Sequence, residues 1–465
     1  MSIQSIDPRS GEVRRRFPAL DSRAIDEKLT RSSLAFAEWR HTSFHERTEP
    51  MLKAAELLDA ESAELGRTIT LEMGKPLAAA VAEVRKCAAA CRYYAQDAEK
   101  MLVDDVVTTE AETSYVHYLP LGPVLAIMPW NFPFWQVFRF VAPTLMAGNV
   151  GLLKHASNVP LCALAIEDLL HRAGFPEGVF QTLLIGSDAV ARVLEDKRVV
   201  AVTLTGSTSA GALVAAAAGK VVKPSVLELG GSDPFIVMPS ADLDQAVQVG
   251  VASRILNNGQ SCINAKRFII HREVYDTFAQ RMVAAFEALR VGDPLESETE
   301  VGPLALASVR DDVSSQVVRS LNAGARCLTG ATGLERAGWW FQPGVLDRIP
   351  ESSPAFREEL FGPVALLFCV SDVDAAIKLA NRSEFGLGSS IWTNERAEQR
   401  RFINELETGQ TFVNAMVVSD PRLPFGGVKC SGYGRELGVA GIRAFVNAKT
   451  VYIAPARPKD SAATE

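Results

Sequence analysis

The sequence predicts an α/β protein that is built on parallel β-sheets and divided into more than one domain. Short apolar runs alternate with helical stretches of about a dozen residues, which is the pattern of βαβ units. The chain has 465 residues, which is more than a single hydrophobic core accommodates. Apolar residues make up 48% and charged residues 22% of it, a balance typical of globular proteins and not of disordered chains.

The first half of the chain begins with helices and then changes to alternating strands and helices. Residues 49–73 and 76–101 carry apolar side chains at three- and four-residue spacing, which predicts helices. The alternating run SYVHYL predicts a strand at 114–119. Short apolar runs predict further strands at 124–128, 150–154, 179–185, 199–204 and 225–229, and a helix from Leu161 to about Ala173 that Gly174 ends. Parallel sheets of this kind bind ligands in the loops at the carboxyl ends of their strands.

A second set of strands and helices runs from Pro234 to about Val418. It includes a predicted strand at 268–271, a long helix that continues to Leu289, and further helices at 304–323 and 396–407. A glycine-rich turn at 424–436 and a final apolar strand at 449–455 follow. These patterns predict a second α/β unit after the first, with no obvious linker between them.

Composition excludes several classes of function. The net charge is −7, which argues against binding to nucleic acid or to an anionic membrane surface. No apolar run has the length of a signal peptide core or of a membrane span. The seven cysteines are odd in number and scattered, as expected for reduced thiols in a cytoplasmic protein. No metal site is expected, because His41 and His45 lack a third ligand and fit a solvated helix face.

Two residues are candidates for covalent and acid–base chemistry. Cys262 directly follows the turn Asn258–Ser261, where a thiol can be exposed as a nucleophile; the alternative is a buried structural cysteine. Glu228 interrupts an apolar strand that ends in two glycines. Burial there would raise the pKa of its carboxyl group toward that of a general base; the alternative is a salt-bridged carboxylate at a strand end.

Two turns after predicted strands are candidates for binding an oxyanion and a phosphate group. Asn131 lies between Pro129 and Pro133, so its amide is held in place as a donor for an oxyanion; a simple strand-exit turn is the alternative. The segment 205–211 leaves a strand and opens an alanine-rich helix, which favours phosphate binding at the helix N-terminus. Its spacing matches neither the usual dinucleotide fingerprint nor a P-loop.

The order of these motifs along the chain is more specific than any one of them. PWNFP is followed by Lys154, TGS, ELGG, GQSC, EELFGP and PFGGVKCSGYGRE, and Glu228 precedes Cys262 by 34 residues. This arrangement resembles the aldehyde dehydrogenase superfamily from about residue 20 to residue 453. The segments MPWNFPFWQVFR, LLKHAS, LELGGSDPF and AKRFII are most similar to the bacterial NAD(P)-dependent succinate-semialdehyde dehydrogenases.

The resemblance implies an α/β fold with three parts: a Rossmann-like parallel-sheet cofactor domain from residues 1–110 and 126–229, a second α/β catalytic domain from 230–420, and a small β arm for oligomerisation from 111–125 and 440–465. It also implies a catalytic set, in which Cys262 attacks an aldehyde and forms a thiohemiacetal. Asn131 and the Cys262 N–H would hold the oxyanion, and Glu228 would activate water to hydrolyse the thioester. A homodimer or homotetramer is expected, with a small-molecule aldehyde as substrate.

For the cofactor, NAD or NADP, the resemblance implies contacts along the strand ends and the EELFGP segment. The implied residues are Trp130, Lys154, Ser157, Gly206, Ser207, Leu229, Glu359 and Phe361. Many NAD-preferring relatives carry Glu three residues after the lysine, where this chain has Ser157. Because no carboxylate there would repel a 2′-phosphate, activity with both cofactors is expected.

For the substrate, the resemblance implies oxidation of succinate semialdehyde to succinate. Arg139 would bind the distal carboxylate as a bidentate partner, with Ser419 as a second contact; a salt bridge is the alternative for Arg139. Leu256 and Asn264 replace a second arginine and a second cysteine of some relatives. One alternative is the oxidation of another aliphatic or aromatic aldehyde. A second is a coenzyme-A-acylating relative, but Glu228 argues against it because such enzymes do not need a water-activating base there. A third is a non-catalytic relative, which should have lost one of the catalytic residues.

Overall fold

The computed structural model describes residues 3–456 and arranges them around two large sheets. The helices are α1 (Ser22–Trp39), α2 (Phe44–Ala60), α3 (Ser62–Met73), α4 (Leu77–Met101), α5 (Trp135–Met146), α6 (Pro160–Arg172), α7 (Val190–Glu195), α8 (Thr208–Lys220), α9 (Leu243–Ile255), α10 (Arg272–Glu287), α11 (Ala307–Asn322), α12 (Pro354–Arg357), α13 (Val373–Asn381), α14 (Arg396–Glu405) and α15 (Gly438–Ile442).

The strands are short, as expected for an α/β protein. They are β1 (Ile3–Ile6), β2 (Val13–Phe17), β3 (Asp105–Val106), β4 (Thr113–Pro120), β5 (Pro123–Met128), β6 (Val150–His155), β7 (Phe180–Thr182), β8 (Ala201–Thr205), β9 (Ser225–Glu228), β10 (Asp233–Val237), β11 (Ala265–His271), β12 (Arg326–Thr329), β13 (Thr332–Gly333), β14 (Phe341–Gln342), β15 (Gly344–Asp347), β16 (Val364–Val370), β17 (Phe385–Gly386), β18 (Gly388–Trp392), β19 (Gln410–Val413), β20 (Val428–Lys429), β21 (Gly432–Tyr433) and β22 (Val446–Ile453).

The first large sheet has the strand order β21-β9-β8-β5-β6-β7. Its five strands from β9 to β7 are parallel, and only β21 pairs antiparallel. From β5 the chain adds β6 and β7 on one side and then β8 and β9 on the other. The order therefore reverses between β5 and β8, and the carboxyl ends at such a reversal form a ligand-binding crevice.

The second large sheet has the strand order β12-β15-β16-β11-β10-β18-β19 and is parallel except for β12. Successive residues of β10 face opposite sides of it, as the pleat requires. Phe235 and Val237 pack in a core with Phe268, whereas Ile236 packs with Ile269 under other helices. Both faces of the sheet are covered, which explains the near-continuous apolar runs of its strands.

The predicted fold class is confirmed, and most predicted strands and helices are present. The strand predicted at 179–185 is shorter, because the Ile185 N–H bonds to the Leu183 carbonyl at 2.9 Å and turns the chain. The helix predicted at 49–73 is two helices that meet at Glu61. A three-stranded antiparallel sheet, β22-β4-β3, contains the strand predicted at 114–119 and overlaps the final apolar strand predicted at 449–455. No helix within residues 3–456 has both the length and the apolar character needed to cross a membrane.

Candidate active site

The loop that carries Cys262 is bent sharply after α9. Asn257, Asn258 and Gly259 all have positive φ angles, of 61°, 57° and 78°, which asparagine and glycine tolerate better than other residues. A Cβ at Gly259 would lie 2.4 Å from the Gly362 carbonyl carbon, so a larger residue would displace the backbone there. The close packing against residue 362 fixes the turn directly before the thiol.

Lys266 connects the cysteine loop to the predicted cofactor residue Glu359. Its side chain is fully buried on β11, and its Nζ donates to the Ser261 and Cys262 carbonyls at 2.8 and 2.9 Å. The same ammonium lies 3.0 Å from the Glu359 carboxylate. None of the motifs in the sequence singles out this lysine. A lysine within a buried apolar strand is a detectable signal, because a buried charge requires partners.

The Cys262 thiol is half-buried, and its surroundings favour the protonated form. Burial raises the pKa of the Cys262 thiol to about 12, and the charge of Glu228 raises it further, while Lys266 and Arg139 oppose the shift. Since a thiolate is the reactive form of cysteine, attack on a carbonyl requires that the proton leave as the bond forms.

Asn131 lies directly beside this loop. It is 4% exposed, and its Nδ2 donates to the Gln260 carbonyl at 3.1 Å. Its own carbonyl accepts from Asn257 Nδ2 at 2.6 Å. His155 holds the following turn through Nε2 and the Pro133 carbonyl, 2.9 Å apart. The amide predicted to bind an oxyanion is therefore fixed next to the predicted nucleophile.

Glu228 ends β9 and is 1% exposed. A Cβ at Gly426 would lie 2.9 Å from its Oε1, so a side chain at that position would crowd the carboxylate. Burial raises the pKa of the Glu228 carboxyl group to about 8; Arg139 lowers it, and the nearby carboxylate of Glu436 raises it. A carboxyl group of this kind titrates in the range that a general base requires.

One cleft runs from Cys262 to the crevice predicted by the strand order. The residues that line it come from the ends of β5, β8 and β9, from α5, from the cysteine loop and from the segment before β16: Pro129, Trp130, Asn131, Gln136, Thr205, Gly206, Ser207, Leu229, Gly230, Cys262, Glu359 and Phe361. The Trp130 and Phe361 rings meet edge to face at 5.8 Å. Six of the eight predicted cofactor residues therefore line a single cleft that reaches the thiol.

The other two predicted cofactor residues lie near β6 and do not line this cleft. Lys154 is 9% exposed, and burial lowers the pKa of its ammonium group. It forms no ion pair with any residue between 3 and 456. Ser157 is partly exposed just after the strand, and its carbonyl accepts from the Gln4 N–H at 3.0 Å.

A second cleft opens on the other side of Cys262 and contains both predicted substrate residues, Arg139 and Ser419. Its lining is mostly apolar: Ala79, Ala82, Glu83, Lys86, Phe132, Trp135, Gln136, Arg139, Leu256, Ser261, Cys262, Ile263, Met416, Val417, Val418, Ser419 and Phe425. Cys262 and Gln136 line both clefts, and of the two only Cys262 carries a nucleophile.

Arg139 has protein partners inside this second cleft. Its guanidinium pairs with the Glu436 carboxylate, donates to Thr205 Oγ1 at 3.2 Å, and lies 4.5 Å from the Phe425 ring centre. A salt bridge is the alternative role expected for Arg139, and the structure contains a buried one with Glu436. The predicted contact with a substrate carboxylate stays a prediction.

Comparison with known proteins assigns the chain to one family. Residues 1–451 match the model of the aldehyde dehydrogenase family. A succinate-semialdehyde dehydrogenase [NADP(+)] of Mycobacterium avium is 53% identical over 465 aligned residues, which cover 99% of this chain and 98% of that protein. A probable succinate-semialdehyde dehydrogenase [NADP(+)] of Synechocystis is 52% identical over 98% of this chain and its own full length.

A solved structure has the same fold. The succinic semialdehyde dehydrogenase of Streptococcus pyogenes, crystallised in complex with NADP+ as the cofactor, superposes with a TM-score of 0.95. Its sequence is 36% identical to this one, and the match covers 97% of this chain and all of that chain.

Proposed function

The chain belongs to the aldehyde dehydrogenase family, and from that premise we propose that it oxidises succinate semialdehyde to succinate with NADP+ and, in addition, with NAD+. The observation that carries the proposal is the position of Cys262 at the meeting point of two clefts. The relatives that are about half identical over their whole length carry the same activity in their names.

The first step forms a bond between the Cys262 sulfur and the aldehyde carbon. The thiol gives its proton to water as the sulfur–carbon bond forms and the carbonyl oxygen gains negative charge, and the Asn131 amide and the Cys262 N–H are the donors for that oxygen. An amide held in place in advance stabilises such charge without reorganisation. The Lys266 bonds to two carbonyls of the loop keep the sulfur in position during the attack.

The cleft with Trp130 and Phe361 fits a nicotinamide dinucleotide. Gly206 and Ser207 open α8, whose N-terminus favours a phosphate group, and Lys154 has a buried ammonium group without an ion-pair partner in the described chain. When bound there, the cofactor supplies the acceptor for the hydride that leaves the former aldehyde carbon. A thioester on Cys262 results.

Glu228 completes the reaction by taking a proton from water. The water oxygen bonds to the thioester carbon, the carbon–sulfur bond breaks, and the thiol of Cys262 is restored as the acid leaves. Because burial raises the pKa of the Glu228 carboxyl group, its conjugate base is strong enough to accept this proton at neutral pH. No coenzyme A is needed, which separates this reaction from that of acylating relatives.

We also propose that the protein is a homo-oligomer in the cytoplasm. The seven free cysteines support a reducing compartment. The outer strand of the arm, β22, is mostly exposed and pairs on one side only. Exposed strand edges of this kind pair with other chains.

The experiment is a substrate panel with both cofactors. Reduced cofactor is measured with succinate semialdehyde, with butanal as a neutral aldehyde of equal length, and with benzaldehyde. We expect the highest kcat/KM for succinate semialdehyde, free succinate as product without added coenzyme A, and no turnover by Cys262→Ala. A kcat/KM for butanal or benzaldehyde equal to that for succinate semialdehyde would contradict the proposed substrate.

A further inference from the structure

Lys266 holds the two peptide groups on either side of Cys262. Its Nζ donates to the Ser261 carbonyl at 2.8 Å and to the Cys262 carbonyl at 2.9 Å, and it lies 3.0 Å from Glu359 Oε1. An ammonium group has three N–H donors, so each of them has an acceptor. The side chain is fully buried, and the Glu359 carboxylate balances its charge, as a buried cation requires. The ammonium is therefore fixed in one position behind the loop.

The bond to the Ser261 carbonyl also sets the direction of the Cys262 N–H. Both groups belong to one planar peptide, and in a trans peptide the C=O and the N–H point in opposite directions. No cis peptide bond occurs among residues 3–456. Because the carbonyl points to Lys266, the N–H points away from it. Among the same residues the Cys262 N–H has no acceptor, so this donor is left for a ligand.

The rest of the cysteine loop does not depend on Lys266. Arg254 Nη2 donates to the Gly259 carbonyl at 3.3 Å and holds the turn before the thiol. At Ser261 the only other donor within the described chain is the Asn264 N–H, at 3.4 Å, which is longer than the usual hydrogen bond. Loss of the lysine side chain should therefore leave the turn folded and allow the peptide before the thiol to rotate.

We propose that Lys266 is a positioning residue for the oxyanion: by holding the Ser261 carbonyl, it directs the Cys262 N–H at the oxygen of the carbonyl group that the sulfur attacks. The inference rests on the proposed function for the covalent step, and it adds a residue that does not touch the substrate. A donor aligned in advance stabilises the developing charge without reorganisation. A peptide that is free to rotate has to be aligned during the reaction, which slows it.

The test compares two reactions of the same thiol, and neither needs a cofactor. 4-Nitrophenyl acetate acylates Cys262: the sulfur–carbon bond forms through a tetrahedral oxyanion, 4-nitrophenolate leaves with the electron pair of the carbon–oxygen bond, and the thiol proton goes to water. Iodoacetamide alkylates the same sulfur by displacing iodide, and no oxyanion forms. Burial raises the pKa of the Cys262 thiol, and the charge of Lys266 opposes that rise. Since both rates depend on the thiolate fraction, their ratio isolates the oxyanion donor.

Lys266→Met should lower the ratio of acylation rate to alkylation rate by about 10- to 100-fold. Removal of a whole oxyanion donor costs about 10²–10³-fold, and in this variant the donor is displaced and not removed. Arg267→Met is the matched control, because it removes a buried cation from the next position of β11. The partners of Arg267 are the carbonyls of Ser232, Leu379 and Ala380, outside the cysteine loop, so its ratio should equal that of the wild type.

Mass spectrometry of the peptide that contains Cys262 measures both reactions apart from those of the exposed thiols. Lys266→Gln keeps one donor and should lower the ratio less, by about 3- to 10-fold; it decides the test if Lys266→Met does not fold. A wild-type ratio in a folded Lys266 variant would overturn the proposal, as would an equal fall in Arg267→Met. A wild-type protein that is acylated at Cys262 but does not oxidise succinate semialdehyde would contradict the proposed function instead.

Discussion

At the scale of single residues, two carboxyl groups and one guanidinium share the buried space behind Cys262. Glu228 and Glu436 are both nearly inaccessible, and burial raises the pKa of each carboxyl group, with Arg139 opposing the shift in both cases. Like charges that are buried together cannot both ionise easily. The arrangement therefore favours a protonated Glu228 in the resting enzyme and a base that becomes available as pH rises.

Replacement of Glu228 by Gln should separate the two halves of the reaction. The amide keeps the size of the side chain and cannot accept the proton from water, so the thioester should accumulate. We expect a burst of one reduced cofactor per active site, followed by steady turnover about 10²–10⁴-fold slower than in the wild type. Stopped-flow absorbance and mass spectrometry of the acylated protein check this, and full steady-state turnover would contradict it.

The pH dependence of hydrolysis should reflect the same carboxyl group. Glu228 acts as a base only when deprotonated, and burial raises the pKa of its carboxyl group to about 8. The rate of thioester hydrolysis should therefore rise with pH through neutrality and level off above that value. Glu228→Gln should lack this rise. An exposed glutamate has a pKa of about 4.3. A rise in the hydrolysis rate centred near pH 4 would therefore contradict the prediction and show that the carboxylate is solvated during turnover.

At the scale of elements, the turn that carries Asn131 is held by α4. Glu83 Oε1 accepts from the Phe134 and Trp135 N–H groups, each at 2.9 Å, and so caps the N-terminus of α5. The same carboxylate pairs with Lys75, whose side chain is 1% exposed. The Glu83 carboxylate thus joins α4 to the start of α5, next to the turn that holds the Asn131 amide, and Lys75 balances its charge.

Glu83→Ala should destabilise the protein strongly, because it leaves the Lys75 ammonium buried without a partner. Breaking a buried pair costs about 3–5 kcal/mol, so urea denaturation should show a clear loss of unfolding free energy. The double variant Lys75→Met with Glu83→Leu removes both charges and should recover part of the loss. A double variant as unstable as Glu83→Ala would indicate that the helix cap, and not the ion pair, carries the stability.

The elements that the sequence predicts are those with a local signal. The period-2 run of β4 and the apolar runs of β5, β6 and β8 are visible in the amino-acid order, since burial on a sheet imposes that pattern. Strand β21 has no such run. It pairs its Gly432 with Glu228, and nothing local in two residues predicts a partner two hundred positions away.

The candidate site divides in the same way. Motifs single out Cys262, Glu228 and Asn131, because turn and strand-end chemistry is local, and the fold brings these residues to the clefts or behind them. Lys86, which lines the second cleft, was missed, since a lysine on a helix is usually solvated and only the fold brings it to Ser419. The pairing of Arg139 with Glu436 depends on the folded position of the C-terminal segment, which spacing along the chain does not contain.

At the scale of the whole molecule, both β22 and β19 are outer strands, of the arm and of the second large sheet respectively. An open edge presents unpaired N–H and C=O groups to a partner chain. The carbonyls of Phe445, directly before β22, and of Ile453 at its end accept from the N–H groups of Leu121 and Glu112, which flank β4. In a strand, the backbone N–H and C=O groups of successive residues point to opposite sides. The even-numbered residues of β22 therefore point these groups to the open edge.

Thr450→Pro should therefore weaken oligomerisation and leave the arm intact. Proline removes one N–H donor, and at Thr450 that donor faces the open edge, whereas Val451→Pro would remove a donor from the pairing with β4. We expect light scattering to show an oligomer for the wild type and a shift toward smaller species for Thr450→Pro at low concentration. Val451→Pro serves as the matched variant, because it should disrupt the arm itself and lower thermal stability in addition.

Since the three-stranded arm adds no residue to either cleft of the same chain, a Thr450→Pro protein that dissociates should still form the covalent adduct at Cys262. An unchanged molar mass for Thr450→Pro would mean that the open edge of β22 does not hold the subunits together.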